Sequence, residues 1–492
     1  MINFDDNTLH ELFGAEDAEN ESRERLKSYF FRNKAYENLT SGRPIRVLVG
    51  HKGVGKSALL KVAYYEDVEN NRMALWIQPN ELRGIATESG GDLNSLIESW
   101  KHKILSVIYT NICENFIETK GRNFNENIGK TAKSLFRSID EILRKRGGNV
   151  QDIVSNQIID RYMNKGEIIV YIDDLDRGWE ARREDIVRIS ALLNAIRDLV
   201  GSEEKLKFRL GLRSDVYYLV RTSDESTDKI ERQIIPLIWN NHEILVMFAK
   251  RIESYFGRSV NEGELICKQQ REVARYFDPV IESRFQGMGK WENVAVHRVL
   301  LSLTRKRPRD LVKLLYGSGR EAQRNGHSKI ATMDLRGTFE AYSGERLQDI
   351  INEFRSELQN IEQLIYGMKP NAIRKRKKEE LKTRTSDNYL FTNDQLVTKI
   401  KNIMRQANFA FVNGNRVDAN SLAEFLYKID FITARVDDDG HIIRRFFDQN
   451  RILQNQFTDF GFNWEIHPAY RWALQPTDVR DIFRKLDLEG RE

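Results

Sequence analysis

Short apolar runs alternate with amphipathic stretches along the first half of the chain. The runs are Ile45 to Val49, Met73 to Ile77, Glu167 to Ile172, Phe208 to Leu212 and Ile234 to Trp239. Helical patterns lie at about residues 22–38, 56–67, 93–118, 125–146 and 184–200. Strands that alternate with helices in this way predict an α/β fold, in which a mostly parallel sheet has both faces covered.

The pattern after Trp239 is mainly helical. Helices are predicted at 242–255, 294–304 and 310–316, followed by two more within 391–476. The stretches 431–435 and 441–446 flank an Asp-Asp-Asp-Gly turn, which predicts a β-hairpin. Helices followed by a hairpin suggest a winged helix. The predicted division is an acidic N-terminal segment (1–24), an NTPase core (25–239), a helical lid (240–345), a helical and basic linker (346–390), a winged-helix-like domain (391–476) and a C-terminal tail (477–492).

Length and composition indicate a folded protein of several domains. The 492 residues exceed one ordinary core, and 40% are hydrophobic while 31% are charged. No run approaches the roughly 18 apolar residues of a membrane span, and the N-terminus is acidic. We therefore expect a cytoplasmic protein without membrane contact. The two cysteines have no zinc-like or disulfide-framework spacing.

The net charge of +5 is weak support for binding a polyanion over the whole surface. Its distribution is more informative, because Arg374 to Lys378 is an unbroken basic run, with Lys382 and Arg384 beyond it. Such a run is either a solvated helix face or linker, or a contact for a phosphate backbone or an acidic partner.

Residues Gly50 to Ser57 match the phosphate-loop pattern G-x-x-x-x-G-K-[ST] between a predicted strand and a predicted helix. Glycines allow the backbone amides of such a loop to point at phosphate oxygens, and the helix start adds its positive dipole end. Lys56 should bridge the β- and γ-phosphates, and the Ser57 hydroxyl should bind Mg²⁺. The expected nucleotide cradle consists of Gly50, His51, Lys52, Gly53, Val54, Gly55, Lys56, Ser57 and Ala58.

Acidic residues follow the most apolar predicted strand. Asp173 is the candidate Mg²⁺ ligand, acting through a bound water, and Asp174 the candidate for orienting or deprotonating the attacking water. The other interpretation is that both cap the next helix. Asp176 is either part of the site or a loop acid, and Arg177 could pair with it.

Three further residues are candidates with alternatives. Arg213, just past the fourth predicted strand, would either contact the γ-phosphate or pair with Asp215 or another neighbour. Pro308, between two arginines, could touch the nucleotide or simply begin a helix. His467 is either a structural histidine or a nucleotide contact.

The ordered segments VLVGHKGVGKSAL, IIVYIDDLDR, FRLGLRSD and RPRDL resemble the STAND and KAP-like branches of bacterial P-loop ATPases, relatives of AAA+ and origin-recognition ATPases. The resemblance extends over roughly residues 10–475. It implies strand order 5-1-4-3-2, a helical lid and a winged helix that closes over nucleotide. It also implies a switch that rests with ADP and opens or oligomerises with ATP.

In that group a lid proline contacts the base and a winged-helix histidine contacts the β-phosphate, which correspond to Pro308 and His467. Here Pro468 follows the histidine where the STAND pattern has an aspartate. No fused effector domain or solenoid repeat is evident, so a separate partner protein is expected. Stand-alone ATPases of this kind resemble components of bacterial anti-phage defence.

The sequence thus predicts a slow, Mg²⁺-dependent ATPase that binds ATP and ADP, forms a homo-oligomer and acts as a conformational switch or assembly module. The alternative is an ATP-dependent DNA-binding module that uses the winged helix and the basic run. A small-molecule kinase is disfavoured, because no acceptor-pocket motif accompanies the loop.

Overall fold

The structure, a computed structural model, describes residues 2–15, 17–82, 93–118, 167–202, 205–223, 225–370, 389–438, 441–449, 462–474 and 479–489. The predicted helix at 125–146 and the basic run at 374–384 lie outside these ranges. Within them, every helix is too short or too polar to cross a lipid bilayer.

A five-stranded parallel sheet forms the centre of the core. Its order is β5-β1-β4-β3-β2, which confirms the predicted order 5-1-4-3-2. Strand β1 pairs in parallel with both β4 and β5, and β3 pairs with both β2 and β4. The strands are β1 (Ile45–Val49), β2 (Met73–Ile77), β3 (Ile168–Ile172), β4 (Leu206–Leu212) and β5 (Ile234–Pro236).

Both faces of this sheet are buried, as its apolar strands require. Along β1, Val47 and Val49 pack into one apolar cluster with α5 and α6, whereas Leu48 packs into another with α4 and the lid. This alternation follows from the two-residue period of a strand. The helices around the sheet are α2 (Arg23–Tyr29), α3 (Lys34–Leu39), α4 (Lys56–Glu69), α5 (Leu93–Glu118), α6 (Arg183–Ser202) and α7 (Ser214–Ser223).

Two sequence predictions in the core need correction. The stretch 22–38 forms two helices rather than one, because the Asn33 side chain accepts a bond from the Tyr36 amide at 3.0 Å and starts α3 afresh. The last strand ends at Pro236 rather than Trp239. After a final bond from the Leu237 amide to the Val49 carbonyl, the chain leaves the sheet.

The lid is helical, and α1 near the N-terminus packs on it. Helix α12 extends from Pro308 to Arg324, longer than predicted, because it continues through two glycines. A Cβ at Gly317 would lie 2.5 Å from Thr338, and one at Gly319 would lie 2.3 Å from Leu9. These glycines therefore allow the neighbouring helices to pack closely against α12. The elements are α1 (Asp6–Phe13), α8 (Asn241–Tyr255), α9 (Glu262–Cys267), α10 (Gln270–Ala274), β6 (Arg284–Phe285), β7 (Val294–Ala295), α11 (Val296–Leu303), α12 (Pro308–Arg324) and α13 (Thr332–Phe354).

The C-terminal unit contains two helices followed by the predicted hairpin, which is confirmed by antiparallel pairing of β9 with β10. The hairpin belongs to a four-stranded sheet of order β10-β9-β11-β8. The winged helix itself stays a prediction. The elements are α14 (Ile361–Gly367), β8 (Leu390–Phe391), α15 (Asn393–Met404), α16 (Ala419–Lys428), β9 (Ile432–Asp438), β10 (His441–Arg445), β11 (Asn463–Ile466), α17 (Arg471–Leu474) and α18 (Val479–Lys485).

Helix α16 is turned inward. Seven of its ten residues are buried, and its single basic residue, Lys428, is buried against Glu357. Its Glu424 accepts a hydrogen bond from Tyr218 on α7 at 3.2 Å. The C-terminal unit is therefore docked on the core through this helix.

Candidate functional site

The phosphate loop lies between β1 and α4, as predicted. Gly53 and Gly55 have φ angles of 83° and 98°, the left-handed region that favours glycine. Gly55 occupies the N-cap of α4 without a side-chain cap, so the first amides of the helix stay available to a ligand. These amides and the helix dipole together favour an anion at this point.

Close packing fixes the shape of this loop. A Cβ at Gly50 would lie 2.8 Å from a Val54 methyl group and 3.2 Å from the Leu237 carbonyl. The indole nitrogen of Trp239 donates to the Val54 carbonyl at 2.7 Å. The contribution of Trp239 was not foreseen, although a tryptophan at the end of the last predicted strand was an available signal.

Lys56 points back into the loop. Its Nζ donates to the carbonyls of Gly50 at 2.8 Å and His51 at 3.1 Å. Burial lowers the pKa of Lys56, while the carboxylates of Asp176 and Asp173 oppose that shift. The loop lysine and the acids after β3 therefore lie close enough to interact, as the sequence required.

Asp173 lies at the end of β3 beside the neighbouring strand. Its side chain is buried, and a Cβ at Gly211 on β4 would lie only 2.2 Å from its Oδ1. The absence of a side chain at Gly211 thus creates the space that the carboxylate fills. Carboxylate and hydroxyl oxygens suit Mg²⁺, so Asp173 and Ser57 are chemically fit to hold it with the phosphates of a nucleotide.

The next acids begin a tight turn. Asp174 has a φ of 53°, unusual for a residue other than glycine, and its carbonyl accepts the Arg177 amide at 2.9 Å. Burial and the neighbouring Asp173 raise the pKa of Asp174. Burial likewise raises the pKa of Asp176 to about 6, against the effect of Arg213.

Arg213 is surrounded by carboxylates. It makes two bonds to Asp215, at 3.0 and 2.6 Å, and lies 3.5 Å from Asp176 and 3.4 Å from Glu353 of α13. These carboxylates raise its pKa despite burial. The predicted pair between Arg213 and Asp215 is therefore present. Arg213 also lines the cavity, and its contact with a γ-phosphate stays a prediction.

The lid touches the phosphate loop directly. Pro308 is the first residue of α12, and the following amide, of Arg309, donates to the Gly53 carbonyl at 3.3 Å. On the other side, Arg307 Nη1 donates to the Lys52 carbonyl at 3.3 Å. The RPR tripeptide therefore lies against the loop, with Pro308 facing the cavity.

A cavity of about 730 Å³ lies between the loop, the lid and the N-terminal segment. This volume is in the range of small-molecule and cofactor sites. Asp17 pairs with Arg309, and both residues line the cavity. The sequence did not predict that the following residues line the cavity: Ala15, Asp17, Ala18, Glu19, Leu26 and Tyr29. Predicted site residues that line the cavity are Lys52, Gly53, Gly55, Lys56, Ser57, Ala58, Asp174, Arg213 and Pro308.

The two histidines lie elsewhere. His51 is buried outside the cavity lining, where its Nε2 lies 3.3 Å from Asp430 and 3.4 Å from Asp448. His467 is buried in the C-terminal unit, and its Nδ1 accepts the Ala469 amide at 3.1 Å. His467 is not among the residues that line the cavity, and its β-phosphate contact stays a prediction.

Sequence comparison finds a family and a curated relative. The FunZ-associated C-terminal helical domain matches residues 243–351, from α8 into α13. The putative transposon gamma-delta 80.3 kDa protein of Escherichia coli (strain K12) is 21% identical over 383 residues, which cover 71% of this chain and 52% of that protein. The chain thus spans about half the length of this relative.

Structure comparison finds distant ATPases. The Walker-type ATPase paby2304 of Pyrococcus abyssi shares 15% identity with a TM-score of 0.42, covering 91% of this chain and 96% of that one. The ORC2 protein of Aeropyrum pernix, solved as ADPNP-ADP complexes, shares 11% identity with a TM-score of 0.43, covering 94% and 98%. At this distance, the function has to be inferred from the residues of this chain.

Proposed function

We propose that this protein is a Mg²⁺-dependent P-loop ATPase that uses ATP binding and hydrolysis as a conformational switch or assembly step. One observation carries the proposal: residues of the phosphate loop, Asp174 and Asp176 after β3, Arg213 just past β4 and the arginines of the lid line one cavity. Amides, a lysine and arginines neutralise a triphosphate, while oxygen ligands hold its metal. A single surface thus offers both halves of the required chemistry.

Each residue has a definite task in this proposal. Lys56 binds the β- and γ-phosphates, and Ser57 and Asp173 hold Mg²⁺, which supplies charge neutralisation when bound. Asp174 or Asp176 orients the attacking water, and Arg213 contacts the γ-phosphate. We expect slow turnover, because an aspartate reaches less far toward water than a glutamate and positioning then depends on a neighbouring subunit.

Phosphate release from ATP tests the site. We expect Mg²⁺-dependent release from the wild-type protein and loss of release with Lys56→Ala. Lys34→Ala, at an exposed position on α3 outside the cavity lining, is the control and should behave like the wild type. Equal release by the wild type and Lys56→Ala, well above background, would remove the assigned site.

In this proposal, the conformational switch changes the oligomeric state of the protein. We propose that the protein forms a homo-oligomer with ATP, rests with ADP and passes its output to a separate partner protein, with bacterial anti-phage defence as the biological setting. Mass measurement with Mg²⁺-ADP and then with a non-hydrolysable ATP analogue tests this proposal. The same mass with both nucleotides would contradict assembly as the output.

DNA binding is the second candidate, and the name of the E. coli relative, which refers to a transposon, favours it. Two features of the described residues oppose it. The hairpin turn is acidic at Asp437 and Asp438, and the only basic residue of α16, Lys428, is buried in an ion pair. No binding to duplex DNA at about 50 mM salt, where phosphate contacts are strong, would exclude this candidate.

A further inference from the structure

Glu353, in the last turn of α13, brings a buried carboxyl group from the lid to the cavity. The residue lines the cavity, and its side chain is 5% exposed. Its Oε1 lies 3.4 Å from Nη2 of Arg213, but it receives no hydrogen bond from any residue that the structure describes. A buried acceptor without a donor costs free energy, so such an atom calls for an explanation other than folding.

The two other lid acids named in the cavity lining are already engaged. Asp310 accepts two bonds from Arg305, at 2.7 and 2.8 Å. Asp349, one turn before Glu353, lies 2.8 Å from Arg346 and is 45% exposed. Of these three acids, Glu353 is therefore the one with a buried oxygen left for a ligand.

The surroundings of α13 hold this carboxyl group in a fixed position. Phe354, the next residue, is buried, and its ring centre lies 5.6 Å from the guanidinium of Arg213. Just past the helix, Glu357 forms a buried ion pair with Lys428 of α16. A group that has to meet a reacting atom within about 0.5 Å needs rigid support of this kind.

Glu353 lies among the groups that are proposed to bind the third phosphate. Its neighbour Arg213 is the proposed γ-phosphate contact. Burial lowers the pKa of Lys56, and Glu353 is among the carboxylates that oppose this shift, so it also lies near the proposed β- and γ-phosphate contact. A water molecule bound to Glu353 would therefore face the third phosphate.

We propose that Glu353 is the general base of ATP hydrolysis, so that the lid supplies the catalytic glutamate that the β3 end lacks. This inference rests on the proposed function. The acids after β3 are aspartates, and Asp174 or Asp176 keeps its role in orienting the water. Because the base comes from the lid, turnover requires the lid to lie against the core, which agrees with slow hydrolysis.

The chemical step balances with water as the only co-reactant. Glu353 takes one proton from the water molecule while the water oxygen forms a bond to the γ-phosphorus. The bond from that phosphorus to the β,γ-bridging oxygen breaks, and its electron pair leaves with ADP. The proton then passes from Glu353 to solvent, which restores the carboxylate.

Glu353→Gln is the main variant, because it keeps the shape of the side chain and removes the proton acceptor. Binding is measured in the full chain with a fluorescent ATP analogue, and hydrolysis with radiolabelled Mg²⁺-ATP in a single turnover. We expect binding within about threefold of the wild type and hydrolysis about 10²- to 10⁴-fold slower, the usual contribution of a general base. After a fixed incubation, the variant should therefore hold ATP where the wild type holds ADP.

Two further variants complete the test. Glu340→Gln makes the same change at an exposed position on α13, outside the cavity lining, and should hydrolyse ATP like the wild type. Glu353→Asp is available should Glu353→Gln fail to fold. It keeps the charge near Arg213 but draws the carboxylate back by one methylene group, so binding should persist while hydrolysis falls about 10- to 100-fold.

The outcomes separate this inference from the proposed function. Hydrolysis at the wild-type rate in Glu353→Gln or in Glu353→Asp would overturn the assignment and leave the ATPase proposal intact. Loss of nucleotide binding in both variants would also overturn it, because a general base acts on the rate and not on binding. If the wild type hydrolyses no ATP, or if Lys56→Ala hydrolyses it equally well, the proposed function fails and the role of Glu353 fails with it.

Discussion

The Asp173 carboxylate occupies the space that a side chain at Gly211 would fill. A Cβ added to Gly211 would lie 2.2 Å from Asp173 Oδ1 and 3.0 Å from a Leu60 methyl group. Strand β3 thus leads into the carboxylate of Asp173, and the adjacent strand β4 leaves room for it at Gly211. Gly211 is a positioning residue for the proposed Mg²⁺ ligand, although it touches neither metal nor nucleotide.

Gly211→Ala should therefore weaken metal use without unfolding the protein. We expect ATP hydrolysis to fall about 10- to 100-fold, the usual cost of disturbing the support of a metal ligand, with part of the loss recovered at high Mg²⁺. Phosphate release measured across a Mg²⁺ titration checks this prediction. Gly344→Ala, where a Cβ would meet no atom within 4 Å, is the control. Wild-type Mg²⁺ dependence in Gly211→Ala would contradict the positioning role.

The pH dependence of hydrolysis should report Asp176. Burial raises its pKa to about 6, so the carboxylate is ionised above that pH and protonated below it. If the ionised form is needed, kcat/KM for ATP should be level above pH 6 and fall about tenfold per pH unit below it, because this ratio reports the free enzyme.

Asp176→Asn should lower the rate of hydrolysis and abolish its fall at acidic pH. Asp198→Asn, at a half-buried position on α6, should retain both. An unchanged fall at acidic pH in Asp176→Asn would assign the titration to another group. Asp174, whose pKa is also raised by burial and by Asp173, would be the first to test.

Glu465 should dominate the stability of the C-terminal unit. It is fully buried and bonded to Arg444 at 2.8 Å, to Arg435 at 3.3 Å and to Arg471. Glu465→Gln leaves these arginines without their carboxylate, so we expect a loss of about 3 to 5 kcal/mol in the free energy of unfolding. Urea unfolding checks the loss, and the exposed Glu340→Gln should cost less than about 0.5 kcal/mol.

The same carboxylate gives this loss a pH dependence. Although burial opposes it, the arginines led by Arg444 lower the pKa of Glu465 from 4.5 to about 2. A lowered pKa contributes stability that is complete above 4.5 and disappears as pH falls toward 2. The difference between wild type and Glu465→Gln should therefore be constant above about pH 5 and shrink below it. A difference independent of pH down to 2 would show that the charge is not its source.

The sequence predicted the core because local rules govern it. The phosphate loop needs glycine at fixed positions, with a strand before it and a helix after it. The length of β3 alone places Asp173 at the carboxyl end of that strand. The apolar runs gave the five strands, and the acid-glycine turn gave the hairpin. These features depend on neighbours along the chain, which a sequence displays directly.

What was missed depends on distant contacts. Asp430 lies beside His51 and Asp17 pairs with Arg309, although each pair is far apart in the sequence. Gly211 matters only because Asp173 lies on the adjacent strand. The strand order could be expected from the resemblance to known ATPases. Contacts between side chains of different domains, by contrast, leave no periodic pattern in the sequence. For the same reason, the sequence left open whether His467, which is buried in the C-terminal unit, is a structural histidine or a nucleotide contact.

The pair between Asp17 and Arg309 has a kinetic consequence. Because these two residues join the N-terminal segment to the lid and both line the cavity, separation of this pair widens the opening through which a bound molecule departs. The residence time of a ligand then depends on how often the segment around Asp17 separates from the lid. A mild change there would alter the exit rate while the grip of the loop on the phosphates stayed the same.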